Sequence, residues 1–142
     1  MTARNLQSLI TKEVEAGIQI DRIIIGGFSM GGGMAFHLAY RYYSDLAGIF
    51  SISSFINHGS IIFQNLEKHK DDWPPLYQWH GDSDDLIPLE WGQETFNKLC
   101  ELGVKGVFHK GGHYSHELSR ECLKSLHSWI LEKLPNDIDL KK

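Results

Sequence analysis

The chain has 142 residues, 42% of them hydrophobic and 23% charged, with a net charge of -4. That is enough for one soluble domain with its own core. No basic stripe of the kind nucleic acid requires is present, and no apolar run approaches a membrane span of roughly 20 residues. The opening "MTARNLQSLITKEVEAG" has no apolar central region and is not read as a secretory signal.

Residues 3–16 carry Leu6, Leu9, Ile10 and Val14 at helical spacing, and Gly17 is placed to stop that helix. "DRIIIGGF" follows. Its unbroken isoleucines predict a strand buried on both faces, as in a parallel sheet. Gly32 to Tyr43 reads as a helix on Ala35, Leu38, Ala39 and Tyr42, and "LAGIFSISS" as a second strand. Residues 60–70 suggest an amphipathic helix, which "DDWPP" breaks. "LYQWH" is a third strand, Glu90 to Leu102 a helix, and "VKGVFHK" a short edge strand. A last helix is expected from about His116 to Leu134, stopped by Pro135, with "NDIDLKK" as a frayed polar tail. Alternating helices and strands imply a mostly parallel sheet flanked by helices, an α/β architecture in one domain over 1–142. Cys100 and Cys122 both fall in helices and are read as buried, reduced thiols.

The glycines of "GGFSMGGG" admit two readings. A phosphate loop needs Gly-Lys-Ser/Thr, yet Gly33 is followed by Met34-Ala35. A dinucleotide fingerprint begun at Gly31 reaches Phe36 where its last glycine belongs. Gly27-Phe28-Ser29-Met30-Gly31 does match G-x-S-x-G, between a strand and a helix as that motif requires. A strained turn would lift the Ser29 hydroxyl clear of the sheet. A Cβ at either flanking glycine is expected to clash. The Met30 amide, at a helix N-terminus, could donate to a developing oxyanion.

A nucleophilic serine needs a base and a carboxylate to orient it, in the chain order Ser, acid, His for this class. "WHGDSDDLIP" follows the third strand and offers Asp84 or Asp85, with Asp82 read as structural. "KGGHYSHELS" follows the fourth and offers His113 or His116. All lie at strand C-terminal ends, on the same rim as Ser29. His113-x-x-His116-Glu117 is not H-E-x-x-H, and the acidic turn lacks the remainder of a calcium loop, so no metal is expected. His37, His58, His80 and His127 read as packing or surface residues, and Trp73, Trp79, Trp91 and Trp129 as core or loop anchors.

Taken together, "RIIIGGFSMGGGMAFHLAYR", "HGDSDDLIP", "SHELS" and "WILEKLP" resemble the acyl-protein thioesterase/lysophospholipase family of α/β hydrolases over Leu6 to Pro135. The resemblance implies a cytoplasmic serine esterase without cofactor, acting on acyl esters, lysophospholipids or thioesters of S-acylated proteins. It places the nucleophile on Ser29, the acid on Asp84, the base on His116 and one oxyanion amide on Met30. Phe55, Ile56, Leu86 and Ile87 are the expected lining of a shallow acyl site. Family chains are longer. The sequence therefore reads as a C-terminal portion without the family's first strands and its H-G-x-G-D oxyanion loop. That reading leaves the first strand as an open edge prone to self-association, with a catalytically silent chain as the alternative.

Overall fold

The computed structural model describes residues 3–69 and 72–136. In chain order the elements are α1 (Ala3–Glu15), β1 (Ile24–Phe28), α2 (Met30–His37), β2 (Gly48–Ile52), α3 (Ile61–Lys68), β3 (Leu76–Gly81), α4 (Leu89–Glu101), β4 (Gly106–Gly111) and α5 (Arg120–Lys133). The four strands are parallel and pair in sequence order, β1-β2-β3-β4. Right-handed crossovers that always step the same way place their helices on one face. Accordingly one core joins Ala35 and Phe36 of α2, Ile62 and Leu66 of α3 and Leu99 of α4 to Ile49 and Leu76 of the sheet. On the other face Cys122, Leu126 and Trp129 of α5 pack on Ile52, Tyr77 and Trp79.

Several elements depart from the sequence reading. β1 is only half-buried, with Gly26 exposed, against the two-sided burial its isoleucines suggest; among the described residues it lies at a sheet edge, the position expected for the first strand. Full burial on both faces belongs to β3 instead. The helix after Ser29 begins at Met30, two residues before Gly32, and its last turn, Leu38–Tyr42, widens into a π-helical turn. The final helix begins at Arg120, not His116: Ser119 caps it, its side chain accepting from the Cys122 amide at 3.0 Å. Cys122 is buried but Cys100 is exposed, one position round α4 from the buried Leu99. Trp91 is likewise exposed, its ring tilted against that of Phe55 with centroids 4.8 Å apart. β4 is an edge strand as read. Most of the "NDIDLKK" tail, 137–142, lies outside the described residues, as do positions 70–71 within the expected helix and breaker. Among the described residues no helix is long and apolar enough to cross a membrane.

Candidate active site

Every strand runs the same way, so the loops leaving their C-terminal ends share one rim. Ser29 follows β1 there, with φ 57 and ψ -119, a conformation that costs an L-residue about 1–3 kcal/mol. The turn is held by its Ser29 amide, which donates to the Ile52 carbonyl at 2.8 Å, and by Gly33, whose amide donates to the Ser29 carbonyl at 3.2 Å. The two motif glycines differ. A Cβ at Gly27 would run into the backbone of Gly31, as the steric argument requires. A Cβ at Gly31 would meet nothing within 4 Å, so no clash exists on that side. Ser29 is the N-cap of α2 but makes no side-chain cap bond; its hydroxyl is committed elsewhere.

That hydroxyl lies 3.0 Å from His116 Nε2, and His116 Nδ1 lies 2.8 Å from Asp84 Oδ2. A carboxylate only accepts, so Nδ1 carries the ring proton and Nε2 is free to accept from Ser29. Phe28 flanks the imidazole, ring centroids 4.8 Å apart. Asp84 is buried, and its other oxygen, Oδ1, accepts from the Ile87 amide at 2.8 Å and the Leu86 amide at 3.0 Å. Burial pushes the Asp84 carboxyl up, but the Ile87 amide, His116 and the Leu86 amide together outweigh it and leave it below the ordinary carboxylate range.

The other candidates of the two loops stay apart from this chain of hydrogen bonds. Asp85 is exposed. His113 sits at φ 68, and its amide donates to Asp82 Oδ1 at 2.7 Å. That bond is the main cause holding the Asp82 carboxyl low. Asp82 thus ties the acid turn to the histidine loop. Two backbone bonds reinforce the tie: the Ser83 amide donates to the Tyr114 carbonyl at 2.9 Å, and the Asp82 amide to the Gly111 carbonyl at 2.8 Å.

The four expected lining residues divide. Phe55 and Ile56 border a cavity of about 650 Å³ together with Phe63, Trp91 and Thr95, and neither Ser29, Asp84 nor His116 is part of its wall. Leu86 and Ile87 lie instead in the Asp84 turn, where their amides hold the carboxylate and Leu86 exposes its side chain. Met30 opens α2 immediately after Ser29, with its side chain exposed. His80, read from the sequence as a packing or surface residue, is wholly buried, and Gly81 was given no role. The tripeptide His80-Gly81-Asp82 at the end of a strand was the available signal, but what each residue touches is set by distant loops.

A parallel sheet flanked by helices, with a serine on a strained strand-to-helix turn and an acid and a histidine on later loops of the same rim, defines an α/β-hydrolase fold. Residues 1–133 match the phospholipase/carboxylesterase family, and the chain belongs to it. It is 48% identical over 134 residues to lysophospholipase-like protein 1 of Mus musculus, covering 94% of this chain and 56% of that protein. It is 34% identical to acyl-protein thioesterase 1 of Neurospora crassa, covering 92% of this chain and 54% of that one. The crystal structure of Arabidopsis thaliana SOBER1 superposes with a TM-score of 0.80 at 26% identity, covering 93% of this chain and 62% of SOBER1. The chain therefore spans about half the length of the curated relatives it matches.

Proposed function

We propose that the chain carries the catalytic residues of a serine esterase or thioesterase, with Ser29 as nucleophile, His116 as general base and acid, and Asp84 as the carboxylate that orients His116. The observation that carries this reading is the unbroken chain of hydrogen bonds from Ser29 Oγ through His116 to Asp84, 3.0 and 2.8 Å long. Ser29 Oγ attacks the acyl carbonyl carbon while its proton passes to His116 Nε2. The Met30 amide donates to the oxyanion. Collapse expels the alcohol or thiol, which takes the proton back from His116. Water, deprotonated by His116, then attacks acyl-Ser29. The carboxylic acid leaves, and the proton returns to Ser29 Oγ.

The substrate class is a carboxylic ester or thioester, with S-acylated proteins and lysophospholipids as natural candidates. The mouse and fungal relatives carry lysophospholipase and thioesterase names, which supports that class. Phe55, Ile56, Leu86 and Ile87 are assigned to the acyl side of the site. The exposed Leu86, two residues from Asp84, supports the assignment. The test is turnover of p-nitrophenyl acetate and of a short-chain thioester, each with an initial burst of leaving group as the acyl-enzyme forms. Neither turnover nor burst from a folded chain would overturn the reading.

A second reading is association through β1. Its outer edge faces no other strand among the described residues, and Leu9 and Met30 stand exposed beside it. Sedimentation at rising concentration checks it, and a chain that stays monomeric would set it aside.

A further inference from the structure

His80 is the last residue but one of β3, with its side chain wholly buried, and no step of the proposed reaction uses it. Its Nε2 lies 2.7 Å from the Ile87 carbonyl oxygen and 3.5 Å from Asp84 Oδ2. A carbonyl only accepts, so Nε2 carries the proton and donates to Ile87, with Asp84 Oδ2 at the side of the same N–H. Nδ1 is then a bare acceptor with no partner among the described residues. It is pressed against Gly92 of α4, where a Cβ would run into it. Gln78, two residues earlier on the same face of β3, donates to the Gly92 carbonyl at 2.8 Å. The 84–88 turn is thus fixed between β3, which ends at Gly81, and α4, whose N-cap is Pro88. The His80 side chain crosses from the strand to the far end of that turn and also reaches the carboxylate.

An orphaned buried acceptor lowers stability, and an apolar side chain of similar volume would not carry that cost. The imidazole has to be justified by what its N–H does. Among the described residues, the Leu86 and Ile87 amides on Oδ1 and His116 on Oδ2 also reach the buried Asp84 carboxylate. The two amides come from the turn itself, so they cannot fix the turn in space. His80 can, because it is anchored in the sheet. We infer that His80 is a positioning residue, which pins the Ile87 carbonyl so that Asp84 Oδ2 meets His116 Nδ1. This rests on the proposed reading of Ser29, His116 and Asp84.

The test compares His80→Leu, which fills the space without a donor, with His80→Gln, whose terminal amide can reproduce the Nε2 donor. For His80→Leu, kcat on p-nitrophenyl acetate is expected to fall by about tenfold to a hundredfold with KM nearly unchanged, since small misplacements of catalytic groups cost that much. His80→Gln is expected to recover most of it. The second readout is the low-field ring N–H resonance of His116 hydrogen-bonded to Asp84. It should weaken or vanish in His80→Leu and return in His80→Gln, whether or not the chain turns over. Equal behaviour of the two variants, or losses that only follow the folded fraction, would overturn the inference. A wild-type chain with no turnover contradicts the reading of Ser29, and the resonance then decides on His80 alone.

Discussion

The carbonyl of Tyr114 occupies the space in which a side chain at Gly81 would stand. β3 and the loop carrying His116 therefore close against each other only because position 81 has no Cβ. Gly81→Ala must push the loop outward. It is expected to lower stability by about 1–3 kcal/mol and kcat/KM by about a hundredfold. Thermal unfolding and steady-state kinetics check this, and a variant with native activity would show that the loop adapts freely.

The two glycines flanking Ser29 should behave oppositely on substitution. Gly27→Ala forces a Cβ into the Gly31 backbone and is expected to cost about 2–3 kcal/mol. Gly31→Ala points into open space within α2, and its free energy of unfolding in urea should stay within about 1 kcal/mol of wild type or rise, since alanine favours a helix. Equal losses at both positions would contradict the asymmetry.

Ser29 holds φ 57 without being glycine. Ser29→Ala keeps that strain while Ser29→Gly relieves it, although glycine gives the unfolded chain more freedom. Both should be inactive, with Ser29→Gly the more stable of the two by about 1 kcal/mol. Equilibrium unfolding of the pair measures the difference. If Ser29→Gly proves no more stable, the turn is not strained.

Asp84 titrates below the ordinary carboxylate range in the folded chain. A lowered value contributes stability above the unfolded value of about 4 and loses it as pH falls through the folded one. Denaturation midpoints should therefore drop for the wild type below about pH 4 more steeply than for Asp84→Asn. Parallel profiles would mean that the carboxylate gains nothing from Ile87, Leu86 and His116.

The order of elements was legible because apolar spacing is local: consecutive isoleucines make β1, and Leu6 and Ile10 lie on one face of α1. Ser29, Asp84 and His116 were legible as candidates because a motif, a turn and a loop each follow a strand. What escaped depended on contacts distant in sequence. The start of α5 turned on the Ser119 cap, which competes with the helical pattern running back to His116. The half-burial of β1 escaped its isoleucine run, which reads as two-sided burial, although the resemblance to longer chains already puts this strand at an open edge. The exposure of Cys100 followed from which side of α4 faces the sheet, and Leu99 beside it is buried. The use of His80 depended on Ile87 and Gly92.

Ser29 reactivity tests the central claim most directly. The chain is treated with a fluorophosphonate and read by intact mass, with Ser29→Ala as control. A single adduct on the wild type, absent from Ser29→Ala, is the expected result, and it means that His116 and Asp84 activate this hydroxyl. A folded wild-type chain that takes no adduct, or one whose adduct survives in Ser29→Ala, would contradict the account.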